Sequence, residues 1–159
     1  MVLLNVQQIA DLIPNRYPIA WIDGVTDFVP DQSITAFKNV TINERFIQGR
    51  KDEKVVPNIF LIEMLAQAAS ILILKSPKFA HKTAYLGGIH SARFKRSVEP
   101  GEKIELSILL TKVRENMGVV DCTAAVGEEE ICHAQLLFVV SPEEPAVDSK
   151  NVDLEYFDI

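Results

Sequence analysis

The sequence predicts an α+β fold in which an antiparallel sheet wraps one long, buried helix. Three observations carry that prediction. Residues 59–74 form an apolar run whose one carboxylate is Glu63. Two strand-like segments precede the run, separated by the turn signal Pro30-Asp31-Gln32-Ser33. After the run the chain reads as strands up to Val140, punctuated by Pro100-Gly101-Glu102 and Gly127-Glu128-Glu129-Glu130. Strands gathered around one buried helix belong to the α+β class.

The elements follow in order. Asn5 can cap a helix over 6–13, where Val6, Ile9, Leu12 and Ile13 fall at helical spacing. Pro14 to Pro18 ends it. Strands are expected over 19–29 and 34–42, then a polar loop over 43–56. Pro57 ends the loop, and Asn58 can cap the central helix, which runs to about Ser76 before Pro77. Further strands are expected over 83–89, 93–98, 104–114, 117–126 and 131–140. The last two form a hairpin. With Glu128-Glu129 at its tip, Cys122 and Cys132 would sit on opposite faces of the sheet and could not bond, unless a bulge changes the register.

Length and composition narrow the function classes. At 159 residues the chain is one domain with room for a full core. The run over 59–74 is shorter than the roughly 20 residues that cross a bilayer, and Glu63 and Gln67 interrupt it. No signal peptide is visible at the start, so the expected compartment is the cytosol. The net charge of −6 is uneven: residues 143–159 hold six acids and one base. We therefore expect a folded domain over 1–142 and an acidic, flexible tail over 143–159. A nearly neutral body disfavours nucleic-acid binding. Neither cysteine lies in a CxxC or a zinc-ligand spacing, and no metal is expected.

An ionised carboxylate costs several kcal/mol in apolar surroundings unless it is paired, so Glu63 marks a site or a specific polar contact. The segments around it share a pattern. Arg16-Tyr17-Pro18 leads into an apolar stretch ending at Asp23. Lys38-Asn39-Val40-Thr41-Ile42-Asn43-Glu44 and Phe46-Ile47-Gln48-Gly49 lead toward residue 50. Glu63-Met64-Leu65-Ala66-Gln67-Ala68-Ala69 follows. Tyr85-Leu86-Gly87-Gly88-Ile89, Ala92-Arg93-Phe94 and Val98-Glu99-Pro100-Gly101 come after it. Together these resemble the β-hydroxyacyl-acyl carrier protein dehydratases, in colinear order over about 5–140.

The resemblance implies the hot-dog fold, a curved antiparallel sheet around a long helix. It implies pairing through sheet edges into a homodimer, or a trimer of dimers. It implies loss of water from a β-hydroxyacyl thioester of acyl carrier protein or coenzyme A, in fatty-acid or related acyl synthesis, without a cofactor. Glu63 would be the general acid. Asn58, Gln67, Tyr85, Gly87 and Phe94 would border the substrate. Arg93, Lys95 and Arg96 would receive an acidic carrier. The plainer alternatives are packing for Tyr85 and Phe94, a backbone contact for Gln67, and solvated surface for the basic residues.

The sequence departs from the family at the site itself. Arg50 stands where the family has its catalytic His, and a guanidinium stays protonated and cannot act as a base. The stretch from Gly49 to Glu63 is one residue short and lacks two prolines. Asn58 replaces a Gly at the helix N-terminus, where a Cβ crowds the approach of a thioester oxygen. His90 is a candidate relocated base; His81 and His133 read as surface residues. Three functions stay open: a dehydratase-like protein impaired alone and completed by a His-bearing homologue, a thioesterase using Glu63, and a non-catalytic acyl or carrier binder. If the family's shared site is kept, Arg50 and Glu63 meet as an ion pair across subunits.

Overall fold

The computed structural model describes residues 1–48, 54–79 and 82–141. The expected acidic tail, His81 and Arg50, with its ion pair to Glu63, lie outside them. In chain order the elements are α1 (Val6–Ala10), β1 (Gly24–Val29), β2 (Ser33–Asn39), α2 (Arg45–Gln48), α3 (Asn58–Leu74), a 3₁₀ turn at Pro77–Phe79, β3 (Ala84–Phe94), β4 (Lys103–Arg114), β5 (Met117–Val126) and β6 (Glu129–Val140). The six strands form one sheet in the order β1-β2-β4-β5-β6-β3, antiparallel at every pairing. This is the α+β hot-dog arrangement that the sequence predicts.

Period-two alternation builds the inner face of the sheet. Ile34 and Ala36 of β2, Ile104, Leu106 and Ile108 of β4, Val120, Cys122 and Ala124 of β5, and Ala134, Leu136 and Phe138 of β6 are all buried. Leu61, Met64, Leu65, Ala68, Ile71 and Leu72 of α3 pack in the same core. Fully burying one such side chain contributes about 1.5–3 kcal/mol. The helix keeps one incompletely covered stripe, running from Ile59 through Glu63 and Ala66 to Ser70. Spacings of four, three and four residues place these on one face.

Several boundaries differ from the sequence expectation, each for a local reason. The Asn5 cap holds: its side chain accepts from the Gln8 N–H at 3.0 Å, and the Gln8 side chain accepts from the Asn5 N–H at 2.9 Å. The helix itself stops at Ala10, and Ile13 is carried on by a bond from its N–H to the Ile9 carbonyl. Residues 19–21 are not strand, because their backbone bonds to Gln67 of α3 rather than to a neighbouring strand. The loop over 43–56 contains the short α2. Asn58 is the first helical residue and not the cap: Pro57 occupies that position, with no side-chain cap.

The two strands expected over 83–89 and 93–98 are one, β3, with register shifts that leave Gly87 and His90 as extra residues. Gly87 has a packing reason to lack a side chain, since a Cβ there would lie 2.8 Å from Val139 Cγ2. The cysteine geometry is also corrected. The hairpin tip is Gly127-Glu128, since Val126 pairs with Glu129, and a register shift follows between Ala124 and Ala125. Cys122 then pairs with Ala134 and Cys132 with Ala124, which puts both thiols on the buried face, where they remain free.

Candidate active site

Glu63 lies one turn before Gln67 on α3, and the Gln67 Nε2 donates to Glu63 Oε1 at 2.8 Å. Asn15 Nδ2 reaches the same oxygen at 3.5 Å, the outer limit of a useful bond. Gln67 also donates to the Ile19 carbonyl at 2.8 Å and accepts from the Trp21 N–H at 3.1 Å. The segment 19–21 therefore hangs on the helix by backbone bonds to one buried amide.

That segment walls an open cleft of about 450 Å³ lined by Tyr17, Ile19, Trp21, Arg45, Phe46 and Phe60. Its aromatic floor is close-packed: the Phe46 and Phe60 rings stack at 4.5 Å, and Trp21 meets Phe60 edge-on at 4.8 Å. Phe46 is delivered by α2, whose approach is fixed by a buried lysine. Lys38 Nζ lies 2.9 Å from Glu44 and 3.4 Å from Asp23.

Further along the same stripe of α3, Ala66, Ser70 and Ile73 meet Tyr85, Leu86 and Phe138 at a crevice of about 10 Å³. That is room for a single water. Tyr85 and Leu86 belong to β3, an edge strand on which Tyr85, Leu86 and Ile89 are all exposed. At the other end of α3, no side chain caps the N-terminal turn, and the Phe60 N–H turns back to the Pro57 carbonyl at 2.9 Å. Asn58, in that turn, is exposed.

The remaining candidates are placed as follows. Gly87 is the bulged residue of β3, and Phe94 ends that strand opposite Cys132, partly buried against the core. His90, at the second bulge, is exposed. His133 pairs with Asp121 at 3.1 Å. Of the expected docking residues, Arg93 is exposed, whereas Lys95 is bonded to Glu130 at 2.8 Å. Arg96 bonds both oxygens of Glu102 and also Glu129. Those bonds raise the Arg96 pKa, and the Arg96 hydrogen bond holds the Glu102 carboxyl below its usual range. Hydrogen bonding by Lys95 likewise lowers Glu130. Among the described residues, no group of three His, Cys, Asp or Glu side chains could hold a metal ion.

The structure thus brings together Glu63 and Gln67, and links them to residues not singled out in the sequence: Asn15, Ile19, Trp21, Phe46 and Phe60. Asn15, Ile19 and Trp21 lie within or beside the Arg16-Tyr17-Pro18 segment, and Phe46 opens Phe46-Ile47-Gln48-Gly49. The signal was present, but a bond spanning 46 residues has no local signature.

A profile of the FabA-like domain family matches residues 13–135. A relative from Pediococcus pentosaceus named 3-hydroxyacyl-[acyl-carrier-protein] dehydratase FabZ is 50% identical, covering 95% of this chain and 99% of its own length. One of the same name from Lactiplantibacillus plantarum is 50% identical over 94% of this chain and all of its own length. Among solved structures, the dehydratase heterocomplex ApeI:P from Xenorhabdus doucetiae superposes with a TM-score of 0.74 at 17% identity, covering 85% of this chain and 91% of that one. A mutant thioesterase from Pseudomonas aeruginosa superposes at 0.68 and 13% identity, covering 88% and 96%, so the fold alone does not separate the two chemistries. With the profile spanning most of its length and relatives at half identity, this chain belongs to the FabA-like family of FabZ dehydratases.

Proposed function

We propose that the chain is a cytoplasmic protein of acyl synthesis that takes β-hydroxyacyl thioesters of an acyl carrier protein, and that its own dehydratase activity is impaired. The observation that carries this reading is Glu63. Its carboxylate sits on the incompletely covered stripe of α3, held from behind by Gln67, with an apolar crevice further along the same face. A family dehydration needs an acid for the leaving hydroxyl and a base for the α-proton. Glu63 supplies the first. Arg50, at the place of the base, cannot supply the second.

The same stripe and the exposed edge of β3 argue for a second copy across that edge, as a homodimer or higher assembly. If that second chain is a His-bearing homologue, its base combined with Glu63 makes one working site. The test is turnover of a β-hydroxyacyl-carrier thioester by the purified chain, alone and mixed with a His-bearing relative. Alone, the rate should fall below that of the relative by roughly 10² to 10⁴. In a mixed assembly, a gain abolished by Glu63→Gln is expected. Full turnover by the chain alone would overturn the impairment, and its loss in His90→Ala would name the replacement base. Failure to bind any acyl thioester would overturn the reading as a whole.

A further inference from the structure

Gln67 is only 2% exposed, and both of its amide protons are engaged. One Nε2 proton goes to the Ile19 carbonyl and the other to Glu63 Oε1, while its oxygen takes the Trp21 N–H. The orientation of this amide is not arbitrary. A carbonyl can only accept and a backbone N–H can only donate, so turning the amide over would set like against like at Ile19 and at Trp21. No donor is left on Gln67 with which to bind a ligand, and its oxygen already takes one backbone N–H. On Glu63 the consequence is asymmetric: Oε1 accepts from Gln67 and from Asn15, and among the described residues no hydrogen bond reaches Oε2.

We infer that Gln67 is a positioning residue and not a substrate contact. It sets the rotation of the Glu63 carboxyl and keeps Oε1 as an acceptor. A proton carried by Glu63 then sits on Oε2. The same amide ties Glu63 to Ile19 and Trp21, so the carboxyl and the wall of the aromatic cleft keep a fixed relation. This deepens the reading of Glu63 as the acid and rests on it for its catalytic meaning, but the geometry can be tested without turnover.

The test follows the Gln67 side-chain NH₂ pair in ¹H–¹⁵N spectra of the full chain, assigned by its loss in Gln67→Met. In Glu63→Ala one of the two protons should move upfield and exchange faster, while the proton bonded to Ile19 stays. Glu63→Gln, which keeps an acceptor, should restore the first proton toward its native position. If neither proton responds to Glu63→Ala, the inference is overturned. Should Gln67→Met fail to fold, the two Glu63 variants decide the matter on native Gln67, with selective labelling for assignment. Wherever Glu63-dependent turnover is measurable, Gln67→Met should lower kcat about tenfold with KM nearly unchanged. A rise in KM alone would make Gln67 a substrate contact and refute the inference. Absence of all thioester turnover, with the NMR response intact, would count against the proposed function and not against the positioning.

Discussion

Replacing Lys38 with Met should destabilise the fold and loosen the aromatic cleft together. Lys38 is a buried lysine, and its ammonium bridges Asp23 at 3.4 Å and Glu44 at 2.9 Å. At an effective dielectric of about 20, each contact has a gross Coulomb energy of about 5–6 kcal/mol, most of which offsets the cost of taking three charges out of water. Removing only the cation leaves two carboxylates facing each other. Breaking a buried pair in this way costs about 3–5 kcal/mol. Here the figure should be lower, about 2–3 kcal/mol, because the Asp23 side chain is 30% exposed and keeps the Asn39 N–H at 2.7 Å. Glu44 leads directly into α2, which carries Phe46 to within 5.8 Å of Trp21. Trp21 is the single tryptophan, so its emission reports on that wall. The assay is urea unfolding at fixed protomer concentration, read by Trp21 emission and by circular dichroism. Lys38→Met with Glu44→Gln should recover about 1–2 kcal/mol relative to additivity. A loss under about 0.5 kcal/mol in the single variant, or strict additivity in the double, would refute the argument that the cluster is held by its charges.

The Arg96 clamp predicts a pH effect. A carboxylate held low in the folded state contributes stability that is present above its ordinary value of 4.5 and is lost as the pH falls through the lowered one. Arg96→Gln should therefore cost on the order of 1 kcal/mol at neutral pH and flatten the decline below pH 4.5, as read by chemical denaturation across pH. The buried thiols should resist a water-soluble disulfide reagent at pH 8 until the protein unfolds, since burial pushes Cys132 up to about 11 and raises Cys122 further; fast labelling of the folded chain would contradict the register of β5 on β6. The exposed apolar edge of β3 predicts a dimer or larger species in sedimentation at micromolar concentration, and a monomer there would leave that edge without its expected cover.

Much of the fold was legible because its causes are local. The 3.6 and 2.0 periodicities separate α3 from the strands, and Asn5 announces the first helix. What was not legible depends on partners distant in sequence. The chain over 19–21 has the composition of a strand but is captured by Gln67, 46 residues from Trp21. One bulge near Ala124 was enough to bring Cys122 and Cys132 to the same face, because a one-residue slip reverses every side chain beyond it. Two further bulges let β3 continue through 90–92, between the two strands expected there. At the site, Glu63 was visible as an anomaly in an apolar run, whereas the aromatic cleft was not, since its rings come from three separate segments.

The residues that hold Glu63 and those that would work with it stand differently. Gln67 cannot be changed without orphaning the Ile19 carbonyl and the Trp21 N–H, and an orphaned buried group costs about 1–3 kcal/mol. Its presence is thus required by the fold whether or not the chain performs chemistry. Asn58 is exposed in the first turn of α3, and no such debt protects it. Persistence of the Glu63–Gln67 pair is therefore weak evidence for activity. Glu63 itself separates the two cases. The fold asks of it only one acceptor oxygen, for a Gln67 proton at 2.8 Å and the long Asn15 contact at 3.5 Å, so Glu63→Gln should leave the unfolding free energy within about 0.5 kcal/mol of the native chain. If the same substitution abolishes the gain of activity in a mixed assembly, Glu63 is present for chemistry. If it instead costs several kcal/mol, the carboxylate is held for the fold, and the proposed acid loses its main support.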